Sequence, residues 1–308
     1  MPDTVPTVSA TSARAGSTSN QPRTNWPTTG GNAVEAACNG QLITATGGTV
    51  TDSALKEVSG IDAGIVNPTL FWVHNDSGDS ARVFAINSSG ATQSVFTLSG
   101  AVATDWEDIA VGPGPQTGVA YLYIADIGDN ARSRAEIVLY RVPEPTVVTV
   151  AETTLDGAEA LRLRYPDGAH NAEALLVDPV NGDIVIIEKT EQGGAARIYR
   201  APGTLAAGSL TTLTLVGTLS LPSGFTNVVT GADVSADGTQ LAVRAYAAVL
   251  LWNRDTASSI WSPFATGSCA GPLPIEVQGE AIAFRADGRG YVTLSEGTNP
   301  VLHTYTAP

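Results

Sequence analysis

Glu173-Ala-Leu-Leu-Val-Asp-Pro-Val-Asn-Gly-Asp-Ile-Val-Ile-Ile-Glu188 reads as two strands joined by a tight turn. An acidic residue opens the stretch, an apolar run follows, Asn181-Gly182 marks the turn and a second apolar run closes it. Asn-Gly and Asp-Gly between apolar runs are the strongest short hairpin signals. The same module recurs as Glu280-Ala-Ile-Ala-Phe, Asp287-Gly288 and Tyr291-Val-Thr-Leu. It recurs again as Asp233-Val-Ser, Asp237-Gly238 and Leu241-Ala-Val. Two further copies lack the marked turn: Glu57-Val-Ser-Gly-Ile with Leu70-Phe-Trp-Val, and Glu107-Asp-Ile-Ala-Val with Tyr121-Leu-Tyr-Ile.

A third run with a central aromatic follows each pair: Arg82-Val-Phe-Ala-Ile, Ile137-Val-Leu-Tyr, Arg197-Ile-Tyr, Val249-Leu-Leu-Trp and Leu302-His-Thr-Tyr. Glu57 and Glu107 stand 50 residues apart, and so do Asp76-Ser-Gly-Asp-Ser-Ala-Arg82 and Asp126-Ile-Gly-Asp-Asn-Ala-Arg132. Five acidic starts between residues 57 and 280 give a period of about 56 residues, the size of a four-stranded propeller blade. Outer strands are expected at 94–98, 160–165, 213–221 and 262–266. The fifth copy ends after three strands, and Gln41-Leu-Ile-Thr-Ala-Thr has no other place. The expectation is an all-β chain forming a single β-propeller of five four-stranded blades, with six as the alternative, its ring closed by the N-terminal strand so that no edge is left open.

The composition agrees. The 308 residues include 32 Gly and 18 Pro, and no segment carries a long helical period, as in all-β proteins rich in tight turns. A net charge of −14 leaves no basic stripe for nucleic acid or an anionic membrane, and no apolar stretch reaches the length of a membrane span. Residues 1–30 are rich in Ser, Thr, Pro and Asn without periodicity; they read as a disordered leader before a propeller domain at 31–308. The chain is expected to be secreted and monomeric, beginning after a removed export signal. Two cysteines, Cys38 and Cys269, are expected to form one disulfide. On this topology they fall at opposite mouths unless a flanking segment runs along the rim.

In a propeller the connections into the inner strands and those after the second strands share one face. Glu57, Glu107, Glu173, Asp233 and Glu280 should therefore ring one channel mouth with Asp76 and Asp126. Such a ring repels itself. With oxygen ligands and no thiol available, the compensating ion is expected to be calcium, held by Glu57, Asp76, Glu107, Asp126, Glu173, Asp233 and Glu280. His74, His170 and Glu173 are the candidate proton carriers. Arg82, Arg132, Lys189, Arg244 and Glu296 are candidate substrate contacts, although each Arg closing an Asp loop also suits a local ion pair. The same acidic residues suit purely structural clips to backbone N–H groups, and that reading stays open.

The Glu173 and Glu280 modules resemble the strand pairs of phytase-like (esterase-like) bacterial β-propellers. The wider pattern is similar to calcium propeller hydrolases such as the gluconolactonase/paraoxonase group and calcium apyrases. The resemblance spans residues 55–306 and implies calcium at the axial channel. Two functions follow as expectations: a calcium-dependent hydrolase of phosphate esters, anhydrides or lactones, or a non-enzymatic propeller that binds a glycan, small molecule or protein at the mouth around a structural ion.

Overall fold

The structure is a computed structural model and describes residues 31–147, 151–276 and 278–308. The leader expected over 1–30 lies outside these residues. The chain enters through helix α1 (Ala33–Cys38) and strand β1 (Ile43–Thr49). Blade one then follows as β2 (Val58–Ala63), β3 (Leu70–Asn75), β4 (Arg82–Asn87) and β5 (Thr92–Leu98). Blade two comprises β6 (Trp106–Pro113), β7 (Ala120–Asp126) and β8 (Ile137–Pro143); the chain then visits β9 (Ala151–Leu155) before completing the blade with β10 (Glu159–Arg164). Blade three is β11 (Ala172–Val177), β12 (Ile184–Glu188) and β13 (Gly193–Ala201), then a detour through β14 (Leu210–Thr212) before β15 (Thr214–Ser223). Blade four is β16 (Val229–Val234), β17 (Gln240–Ala245), β18 (Ala248–Asn253) and β19 (Cys269–Gly271). Blade five is β20 (Gly279–Phe284), β21 (Gly290–Ser295) and β22 (Val301–Thr306), and β1 pairs antiparallel with β22 as its outer strand.

The inner strands β2, β6, β11, β16 and β20 touch in sequence and close the ring at five blades. Why the modules read as unbroken apolar runs is visible in β12. Successive side chains of a strand point to opposite faces: Ile184 and Ile186 pack toward blade two, while Val185 and Ile187 pack toward blade four. Each blade is buried on both faces. The core is accordingly five separate apolar seams, one between each pair of neighbouring blades.

The outer edges follow a second rule that the sequence did not disclose. Each connection from third to fourth strand reaches back to the preceding blade. Strand β9 lies parallel on β5 of blade one, and β14 lies parallel on β10 of blade two. The short helical turn Ser262–Ala265 packs against β15 of blade three. Helix α1, which leads into blade five's outer strand, lies against β18 and β19 of blade four. In blade one the connection is a tight turn, and its Ser88 carbonyl accepts the Gly48 N–H of β1 at 3.1 Å. Two blades thus have five strands, and every outer edge meets its successor.

This rule brings the cysteines together. Because α1 turns back over blade four instead of staying with blade five, Cys38 reaches Cys269 and the disulfide forms, with a Cα–Cα separation of 5.0 Å. The outer strand expected at 262–266 is corrected: Ser262–Ala265 form a helical turn there with Pro263 at its start, Phe264 packs edge-on to Trp252 at 5.1 Å, and the outer strand is β19.

Candidate metal centre at the channel mouth

In all five blades the pairing between first and second strand is interrupted one residue after it begins, between Val58 and Gly60, Trp106 and Asp108, Ala172 and Ala174, Val229 and Gly231, and Gly279 and Ala281. A bulge leaves one residue unpaired and re-aims its side chain. The bulged residues are Ser59, Glu107, Glu173, Thr230 and Glu280, and they define the ring at the upper mouth. Ser59 Oγ donates to the Glu107 carbonyl at 2.6 Å and Thr230 Oγ1 to the Gly279 carbonyl at 3.0 Å, each lashing its blade to the next.

The register inferred from the acidic starts is therefore corrected in two copies. Glu57 lies two residues before its bulge and is exposed. Asp233 lies three residues beyond its bulge, inside the channel, where it keeps company with Asp62 and Asp108. Asp62 accepts the Val111 N–H at 2.5 Å, Asp108 accepts the Leu175 N–H at 2.8 Å, and Asp233 accepts the Phe284 N–H at 2.5 Å. Inner strands have no partner on the axial side, so their N–H groups require acceptors; these three carboxyls supply them across blade boundaries. Asp108 also takes the Ala232 N–H at 3.4 Å from the far side of the channel. Burial, reinforced by their mutual repulsion, pushes all three well above the ordinary carboxylate range. At the lower mouth Asp62 and Asp233 line a cavity with Ile65, Val234 and Phe284.

At the upper mouth, carboxylate oxygens of Asp76, Asp105 and Glu107 lie within 4.8 Å of one another. Two full charges at that separation repel by about 3.5 kcal/mol at an effective dielectric near 20. Glu107 is buried, whereas Asp76 and Asp105 are half-buried, so the group opens outward. Burial and then Asp76 raise Asp105 to about 6. Burial, followed by Glu173, Asp76 and Asp105, raises Glu107 well above its usual value. Asp105 escaped the sequence reading because it precedes the strand; its register counterpart in blade one is Glu57. Asp126 does not join the group. It accepts the Thr104 N–H at 3.1 Å and the Asp105 N–H at 3.3 Å and pairs with Arg134 at 2.7 Å, so it positions the Asp105 backbone.

Across the mouth stand Glu173, Glu280 and Glu296 with the Lys189 ammonium among them. Its ammonium pairs with Glu173, donates to Tyr246 Oη at 3.0 Å and sits 5.1 Å from the centre of that ring. Burial opposes the charge on Lys189, but Glu173 and Glu280 outweigh it and hold the pKa up. Burial raises Glu173 to about 8 against the pull of Lys189, and burial with Glu280, Asp76 and Glu57 raises Glu296 to about 7.

The structure thus brings Asp76, Glu107, Glu173, Glu280, Glu296 and Lys189 together at this mouth. Glu57 stands exposed within electrostatic reach of Asp76 and Glu296, and Arg244 within that of Glu280; each of the other candidates has a local partner. His74 is fully buried, its Nδ1 2.8 Å from the Asn75 carbonyl and its ring edge-on to Trp106 at 5.7 Å; burial lowers its pKa to about 4. His170 lies between Glu188 at 3.0 Å and Asp167 at 3.1 Å, packed on Tyr165 and Tyr199. Arg82 pairs with Asp79 at 2.9 Å and Arg132 with Glu191 at 2.7 Å. Arg244 is buried, pairing with Glu276 and donating to the Ala281 carbonyl at 2.7 Å.

No protein-family model matches this chain, and no curated protein sequence matches it. No helix among the described residues is long and apolar enough to cross a membrane.

Proposed function

We propose that the protein is an extracellular calcium-dependent hydrolase working at the upper channel mouth, with an ester or lactone as its substrate. The observation that carries this reading is the convergence of Asp76, Asp105 and Glu107 at an open mouth. Oxygen-only donors suit a hard cation, and calcium accepts irregular carboxylate sets of this kind. Bound there, calcium would polarise a carbonyl and acidify water. The chain's own part is to hold the ion and to move protons. Glu296 and Glu173, raised to about 7 and about 8, lie at and just above neutral pH, where proton carriers work best.

The choice of ester over phosphate rests on the surroundings. Arg82, Arg134 and Lys189 are already committed to Asp79, Asp126 and Glu173, which leaves little for a polyanion. The loops entering blades two, four and five on this face carry the strongly exposed apolar side chains Val102, Phe225 and Ile275. They suit a substrate with an apolar body. The disulfide fits an oxidising extracellular setting.

A second reading, a glycan- or protein-binding propeller with calcium as a rivet, is favoured by Asp108, which links blades two, three and four directly beneath the mouth. Hydrolysis of aryl esters, five- and six-membered lactones and p-nitrophenyl phosphate, assayed in calcium and in EGTA, separates the two. The hydrolase reading expects ester or lactone turnover that EGTA and Asp105→Asn abolish. Turnover indifferent to EGTA, or none on any substrate by calcium-loaded protein, overturns it.

A further inference from the structure

We infer that the carboxyls of Glu173 and Glu280 form a second cation position in the same mouth, whose resident cation is the Lys189 ammonium. The inference rests on the reading of the Asp76 side as a calcium site, because it explains why that side alone would need an ion.

The register supplies the first argument. Second strands end opposite the bulges at Asn75, Glu188, Ala245 and Ser295. The next residues are Asp76, Lys189, Tyr246 and Glu296. Lys189 therefore holds in blade three the place that acids hold in blades one and five. One half of the mouth gathers Asp76, Asp105 and Glu107 with no ammonium among them. The other gathers Glu173, Glu280 and Tyr246 around one.

The second argument is a group left over. An ammonium has three donors; that of Lys189 serves Glu173 and Tyr246. Glu280 is 4% exposed; its carboxyl is engaged by Tyr246 and feels the Lys189 and Arg244 charges, yet its Oε2 is buried without a hydrogen-bond partner. A buried oxygen without a donor is costly. It is the mark of a position with coordination left open beside the ammonium, which a calcium ion with six to eight oxygen ligands would fill. Lys189 keeps such an ion out and confines calcium to the blade one and two side.

Calcium stoichiometry of the full chain, by equilibrium dialysis and titration calorimetry, tests this. The wild type should bind one ion, Lys189→Met two and Lys189→Arg one. Without calcium, Lys189→Met should melt below the wild type, and millimolar calcium should restore it. Asp105→Asn in the Lys189→Met background should leave one ion. Glu280→Gln should change the wild-type calcium affinity by less than threefold, and this variant decides the matter if Lys189→Met does not fold. Two ions in the wild type, one ion in Lys189→Met without calcium rescue, or a tenfold loss in Glu280→Gln overturns the inference. If the wild type binds none, the calcium reading of the Asp76 side falls; a site gained in Lys189→Met would still uphold the role of the ammonium.

Discussion

Arg254 and Asp178 meet fork to fork in the seam between blades four and three, Nη1 to Oδ1 at 2.9 Å and Nη2 to Oδ2 at 2.6 Å. Both side chains are at most 1% exposed. Arg254 also donates to the Ser258 carbonyl at 2.9 Å. Removing one partner of a buried pair strands the other charge, at about 3–5 kcal/mol. Arg254→Met should lower stability by that amount in urea melts. Asp178→Leu combined with Arg254→Met should recover part of the loss.

The mouth makes stability depend on pH in an unusual direction. Asp105, Glu296 and Glu173 titrate near 6, 7 and 8 in the fold, and near 4 when the chain is unfolded. Across that window the folded state holds more protons than the unfolded one, so its stability falls as pH rises. The contribution is complete below about pH 4 and gone above about pH 8. Melting temperature in EGTA should therefore drop steadily from pH 5 to 8.5, and saturating calcium should make the drop shallower by offsetting the share of Asp105. Glu107→Gln should raise the melting temperature in EGTA at pH 8 and remove the response to calcium.

Gly128 lies where a β-carbon would strike the carboxylates of Glu107 and Asp105. Gly128→Ala should push these oxygens apart. Calcium affinity is expected to fall at least tenfold while the circular dichroism spectrum stays that of the wild type. Unchanged affinity would remove Asp105 and Glu107 from the cation site.

The Cys38–Cys269 bridge closes a sequence separation of 231 residues, which in a chain-entropy account contributes up to about 5 kcal/mol. Helix α1 has other ties, including the Ala33 N–H to the Gly288 carbonyl at 3.3 Å and the Val34 N–H to Gln240 at 3.2 Å. Cys38→Ser with Cys269→Ser should lower the melting temperature by several degrees yet leave the ring closed. Hydrogen exchange should rise in α1 before it rises in β1.

The blades were legible because strands buried on both faces leave continuous apolar runs, and because Gly182, Gly238 and Gly288 adopt the positive φ their turns demand. The register was not. The match that aligned Glu57 with Glu107 runs at 50 residues, but Gly60 and Asp108 are equivalent at 48, while Asn75 and Asp126 are equivalent at 51. Hairpins of unequal length absorb the difference, and a bulge adds a residue that no pattern of apolar positions announces. Asp105 was lost to that slip, and Asp233 was promoted by it. Strands β9 and β14 left no trace because an added parallel edge of polar residues such as Glu152 and Thr153 has no period of its own.

The backward-reaching connections impose an order on assembly. A chain leaving the ribosome completes each blade only when the next has begun to fold against it, so during synthesis the newest blade and the blade-five face of blade one are both uncovered. Strand β1 finds its partner only when blade five is made, since it pairs with β22. Until residues 301–306 arrive, β1 has no strand beside it, and it is there that a stalled chain would invite unwanted pairing.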